Sequence, residues 1–157
     1  MSHTYTNLLS HVIFSTKDRQ PLIDSELKPR LLGYMNGIAT ENGAKVLSMN
    51  SMPDHVHLLW EIAAKSSMSD ALRILKTNSS RWVGETFGQR KPFAWQTGYG
   101  AFSVSRSNVP AVAKYIEAQE IHHRRRSFEE EFIELLVRHG IQYDSNTCWG
   151  EVPPLRG

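Results

Sequence analysis

Alternation along His55-Val56-His57-Leu58-Leu59-Trp60 predicts a strand, because successive side chains of an extended chain point to opposite faces. Val56, Leu58, Trp60 and Ile62 then line a face that packs on a core, and His55 and His57 share the other. Within residues 5 to 16, Leu8, Val12 and Phe14 lie in register with Leu9 and Ile13 between them. That pattern predicts a strand buried to some extent on both faces, central in its sheet. Leu27, Leu31, Leu32, Met35, Ile38 and Ala39 recur at helical spacing after a capping Asp24 or Ser25, with Pro29 in the first turn and Gly43 as the stop. Val46 to Met52 predicts a further strand, joined through Pro53-Asp54 to the histidine strand as a hairpin.

Ser67 with Asp70 forms a capping box for a second helix, whose apolar stripe is Met68, Ala71, Leu72, Leu75, Ser79, Trp82 and Val83 and which ends near Gly88. Phe93 to Val104, interrupted by glycines, predicts a last strand where another backbone comes close. Asn108 and Pro110 start a third helix, 109 to about 124. Ser127 with Glu130 starts a fourth, with Phe128, Phe132, Leu135, Leu136 and His139 as its stripe. Strand, helix, strand, strand, helix, strand is the order of a ferredoxin-like split βαβ fold. The expected class is α+β, an antiparallel sheet with helices on one face and the other face free for a site.

At 157 residues the chain suits one domain, 1–157. Its 40% apolar content excludes disordered and collagen-like classes, and a net charge of +2 permits nucleic-acid binding without demanding it. Cys148 is the single cysteine, which excludes an internal disulfide and a cysteine-rich zinc site and suits a reducing cytoplasm. No segment approaches eighteen consecutive apolar residues, so neither secretion nor membrane spanning is expected.

The third helix carries a second constellation. Tyr115 and Gln119 are four residues apart and share a helix face, away from the apolar Val112, Ala113 and Ile116. A phenol with its ordinary pKa near 10 is about one part in a thousand phenolate at neutral pH, so as a nucleophile it needs help. A divalent cation held by His55, His57 and the amide oxygen of Gln119 would act as a Lewis acid on phosphate oxygens. Imidazole donors suit manganese, and amide and phosphate oxygens suit magnesium.

Met52-Pro53-Asp54-His55-Val56-His57-Leu58-Leu59, followed by Tyr115-Ile116-Glu117-Ala118-Gln119, resembles the single-tyrosine HUH transposases of the insertion-sequence 200/605 type, within the superfamily that includes REP-associated tyrosine transposases. The likeness runs from Ser10-His11-Val12-Ile13-Phe14-Ser15-Thr16 to Gly140-Ile141-Gln142-Tyr143-Asp144. It implies a ferredoxin-like domain with an additional C-terminal tyrosine helix that cuts and rejoins single-stranded DNA at the hairpin ends of a mobile element. It further implies Tyr115 as nucleophile, forming a 5′-phosphotyrosine link and a free 3′-hydroxyl, with His55, His57 and Gln119 as ligands of magnesium or manganese. A homodimer that can exchange tyrosine helices is implied too, although Ser105-Arg106-Ser107-Asn108 lacks the glycines of a free hinge. Gln119 favours the element-borne enzymes over the related group that handles chromosomal palindromes.

Single strands are gripped by cations along the backbone and by aromatic stacking. Arg73, Lys76 and Arg81 on the second helix, with Lys17 and Arg19 after the first strand, are the candidate DNA-binding residues. His122-His123-Arg124-Arg125-Arg126 is read as a helix-end charge run or general DNA attraction. His11 and His139 are read as structural and Asp54 as a turn residue. The alternative function is a non-catalytic single-stranded nucleic-acid-binding module. A metal hydrolase using water ranks last, for want of a marked general base.

Overall fold

The computed structural model describes residues 3–88, 92–123 and 126–144, the side chain of His122 excepted. Cys148, Arg124 and Arg125 lie outside the described residues. Four strands, β1 (Leu9–Ser15), β2 (Lys45–Met52), β3 (His55–Glu61) and β4 (Gly100–Ser103), form one antiparallel sheet in the order β2-β3-β1-β4. With α1 (Leu27–Glu41) between β1 and β2 and α2 (Met68–Thr86) between β3 and β4, this is the expected split βαβ arrangement. The histidine strand and the double-sided strand are neighbours at its centre, with Ile13 opposite His57 and Ser15 opposite His55.

The starts of the helices follow local chemistry. Asp24 accepts the backbone N–H groups of Glu26 and Leu27 ahead of α1, and Ser67 accepts that of Asp70 at the head of α2. One face of the sheet and the two helices enclose the main core, in which Val12, Phe14, Val56, Leu58 and Trp60 meet Leu27, Leu31, Met35, Leu72 and Leu75.

The opposite face, expected to be open, is also covered. α3 (Val109–Glu117) packs Ile116 with Leu9, Leu59 and Val104, and α5 (Phe128–Arg138) packs Phe128, Phe132, Leu135 and Leu136 on Ile13 and Phe102. The alternate positions of β1 and β3 on this side therefore lie beneath helices. The helix predicted over 109–124 breaks at Ala118, and a one-turn helix, α4 (Gln119–His122), resumes beyond it. The predicted strand over 93–104 contracts to β4, preceded by a single bridge from Trp95 to Thr16. Between the two, Lys76 binds the carbonyls of Gln96 and Gly98, and the Gln96 side chain accepts the Ser15 N–H, beside the backbone bond from Gln96 N–H to the Ser15 carbonyl. A Cβ on Gly100 would sit 3.0 Å from Phe132 and 3.1 Å from Ile13, so what comes close at this glycine is packed side chains and not the backbone expected from the sequence.

Candidate active site

The two histidines of β3 point into the helix-covered side and are fully buried. His55 Nδ1 lies 2.7 Å from the Asp54 carboxylate. A carboxylate accepts, so Nδ1 carries the proton and Nε2 presents its lone pair when the ring is neutral. That Nε2 is buried without a hydrogen-bond partner. His57 Nδ1 lies 2.8 Å from His11 Nε2. His57 Nε2 faces the Glu131 carboxylate at 3.0 Å, and only in the tautomer whose Nδ1 donates to His11 does it present a lone pair to a cation. Asp54 and His11, read from the sequence as turn and structural residues, thus act on the ring orientation of both histidines.

Glu131 of α5 closes the cluster. Its Oε1 is 3.0 Å from His57 Nε2, 3.0 Å from His123 Nε2 and 3.6 Å from His55 Nε2. One potential ligand atom from each of these four residues lies within 4.8 Å of the others. Three imidazoles and a carboxylate suit a divalent transition ion such as manganese. Gln119, also fully buried, donates Nε2–H to the Tyr115 carbonyl at 3.2 Å and leaves its Oε1 without a hydrogen-bond partner. The orphaned His55 Nε2, inside a buried cluster of metal-ligand side chains, fits a bound cation, since burying such an atom unpaired costs free energy, and the Gln119 oxygen is a second buried acceptor left orphaned.

Tyr115 enters the same cluster within one chain. Its hydroxyl donates to Glu131 Oε2 and accepts from an Arg126 N–H at 2.7 Å. Its ring centre is 5.9 Å from that of His57 and 6.1 Å from that of His11. The break at Ala118 starts a new short helix at Gln119, just beyond the tyrosine's helix.

Burial dominates the electrostatics. It holds His11 down to about 3, with the neighbouring His57 adding to the effect, and it holds His57 down to about 4 against the opposing pull of Glu131. Burial would push the Glu131 carboxyl up, but hydrogen bonds from His123 and His57 outweigh it and keep the group well below the usual carboxylate range. Burial lowers His123 as well, yet its bond to Glu131 leaves the net shift upward. The Tyr115 phenol is raised by burial and by Glu131, with Arg126 and Gln119 acting in the opposite direction.

Of the candidate DNA-binding residues, Arg19 borders this site, whereas Arg73 and Lys76 lie beside α2. Arg73, exposed and 3.8 Å from Asp70, borders a cavity of about 500 Å³ beside α2, together with Lys76, Trp95 and Tyr99. Lys76 is committed to the carbonyls of residues 96 and 98, and Arg81 to Asn78. Lys17 is exposed in a short turn after β1. Arg19 pairs with Glu129 and borders a cavity of about 390 Å³ shared with Asp54, His123 and Arg126.

His123, Arg126 and Glu131 were not selected by sequence reasoning. The first two sit in a run that reads as helix-end charge. Glu131 occupies a position flanked by the acidic Glu129 and Glu130. Its one signal is its place three residues after Phe128 and four before Leu135, on the apolar side of the helix.

The site can be compared with known proteins. The chain is 32% identical over 114 residues to the ISDra2 transposase TnpA of Deinococcus radiodurans, a match spanning 69% of this chain and 81% of that one. It is 27% identical over 124 residues to the transposase for insertion sequence element IS200 of Salmonella typhimurium, across 76% and 81% of the two chains. A crystal structure described as that of a Deinococcus radiodurans transposase superposes with a TM-score of 0.60 at 28% identity, covering 76% of this chain and 96% of the other. The fold is shared also with a REP-associated tyrosine transposase solved bound to a REP hairpin, with a TM-score of 0.59, 15% identity, and 98% and 94% coverage. A family model described as "Transposase IS200 like" matches residues 4–119, which include His55, His57, Tyr115 and Gln119 and stop short of His123, Arg126 and Glu131. On that match, over most of its length, the chain belongs to the IS200-like transposase family.

Proposed function

We propose that this transposase cleaves and rejoins single-stranded DNA through a covalent 5′-phosphotyrosine intermediate on Tyr115. The observation that carries the reading is the meeting of the phenol with the buried imidazole cluster through one carboxylate, Glu131. His55 and His57, with Glu131, His123 and the Gln119 amide oxygen as further donors, would hold a magnesium or manganese ion. Such an ion supplies Lewis-acid polarisation of the scissile phosphate.

The chain's own residues do the rest. Tyr115 Oη attacks phosphorus, the new O–P bond forms as the bond from phosphorus to the 3′-oxygen breaks, and the departing 3′-oxygen takes a proton to become a hydroxyl. Glu131 accepts the phenolic hydrogen bond and so aims Oη at phosphorus, and the phenolic proton is released to water. Arg126 holds the phenolic oxygen from the other side and stabilises charge as it develops there. The phosphotyrosine ester keeps the energy of the broken bond, so a 3′-hydroxyl from another strand can reverse the step. Because Tyr115 meets Glu131 and His57 within one chain, this chemistry needs no exchange of helices, even in the homodimer that the resemblance implies.

The deciding experiment incubates wild type and Tyr115→Phe with labelled single-stranded and duplex element ends in manganese or magnesium, followed by a denaturing gel. The expected result is a protein-linked band from single strands with wild type alone, while Tyr115→Phe keeps its strand binding. Cleavage with free ends in Tyr115→Phe would show water as nucleophile. Strand binding that ignores chelator and never gives an adduct would show a non-catalytic binding module.

A further inference from the structure

Beside the tyrosine ring the structure holds a further cavity. It measures about 290 Å³ and is roofed by Asn108 and by Ala111, Val112 and Tyr115 of α3, walled by Leu135, Arg138 and His139 at the end of α5, and floored by His11 and Ser103 of the sheet and the adjoining Val104. Leu135 lies one helical turn, about 5.4 Å, beyond Glu131. The cavity therefore begins about one turn from the carboxylate that holds the tyrosine hydroxyl.

We propose that this cavity seats the nucleobase of a nucleotide directly attached to the phosphate that Tyr115 attacks, and so selects the base at the cleavage junction. The inference rests on the strand-transfer reading above and adds a base subsite to it.

Three features suit a base. Its volume is at the small end of the range for ligand pockets, suited to one planar ring system and too small for a folded segment. Its walls combine flat or apolar faces with a few edge groups, the mixture that reads a base taken out of its stack. His139 lies stacked on Phe102 with ring centres 4.4 Å apart, and its Nδ1, 2.8 Å from the Leu135 carbonyl, must donate. The neutral ring then keeps Nε2 as an acceptor. Asn108, exposed at the head of α3, makes no capping bond with its side chain and offers an amide with both donors and an acceptor. Arg138 brings a guanidinium to the rim, where a backbone phosphate would enter, although it also binds Glu134.

Position selects which base. Tyr115 is both the wall of the cavity and the attacking group, so a strand with its phosphate at the hydroxyl has only the adjoining nucleosides within reach of the space beside the ring.

The test captures junctions from a pool of random-sequence single strands flanked by fixed handles, in manganese, and sequences both the protein-linked and the released fragments. Wild type should restrict the base on one side of the junction. Ala111→Phe, which fills the cavity from an exposed helix position, and Asn108→Leu should each weaken that restriction about tenfold. Preferences at other positions, total strand binding and the melting temperature should be kept. Adducts whose junction preference is absent in wild type, or unchanged in both variants, would overturn the base subsite and leave strand transfer standing. No adduct from any strand would remove the strand-transfer reading and the subsite with it.

Discussion

The two faces of the sheet are built by the same strands at alternate positions, and they hold opposite chemistry. Toward α1 and α2, Val12, Phe14, Val56, Leu58 and Trp60 are at most 1% exposed in an aliphatic and aromatic core. Toward α3 and α5, His11, His55, His57, Gln119 and Glu131 are at most 5% exposed, and hydrogen bonds link His11 to His57 and His57 to Glu131. Apolar burial stabilises by about 25 cal/mol per Å² removed from water, whereas burying imidazoles and a carboxylate costs free energy unless each atom finds a partner. The first face therefore holds the fold, and the second is a polar cluster that the fold holds in place. Two small apolar groups, around Ile116 and around Phe132, flank the cluster and keep water from it.

Substitutions on the two faces should separate cleanly. The largest effect is expected from Tyr115→Phe, which should lower adduct formation at least about a thousandfold on a denaturing gel while the main core still melts as a unit. Leu31→Ala, in the core opposite, should cost about 2–5 kcal/mol in urea denaturation and leave manganese affinity of the folded protein unchanged. A loss of manganese binding there would break the division.

Acid should act on the polar face first. His11 and His57 have folded pKa values of about 3 and about 4, below their ordinary 6.5, so the unfolded chain binds more protons as pH falls. Their contribution is full above 6.5 and is lost as pH drops toward 4. The depressed Glu131 adds a loss in the same direction below 4.5, its ordinary value. His123, shifted upward and partly exposed, works in the opposite sense, since its contribution is full below 6.5 and fades as pH rises through its folded value. The net expectation is a melting temperature that falls between pH 7 and pH 4 by the equivalent of a few kcal/mol. A flat profile would mean that the imidazoles are not buried as neutral rings. The smallest effect is expected from Asp54→Ala, which frees the His55 ring and should weaken manganese binding about tenfold by calorimetry with little change in melting.

Among the described residues, no helix is long and apolar enough to cross a membrane. The element order, the hairpin at Pro53-Asp54, the caps at Ser67 and Ser127 and the pairing of His55 with His57 on one strand face were legible in the chain alone, whereas the start of α1 was legible only as Asp24 or Ser25. Each depends on neighbours a few residues apart, where periodicity and capping chemistry leave a local trace.

The company those histidines keep was decided by tertiary structure. Glu131 is 74 residues from His57, and it reads as one carboxylate among several until α5 folds across the sheet and turns it inward. Lys76, apparently a free cation on a polar helix face, is spent on the loop before β4. His123 and Arg126, which read as surface charge, meet the carboxylate and the phenol in the folded chain. Sequence spacing sets which face of an element a side chain occupies, whereas packing sets what that face meets. A buried polar cluster depends on the second, because each of its members is tolerable in the interior only when partners distant along the chain arrive with it.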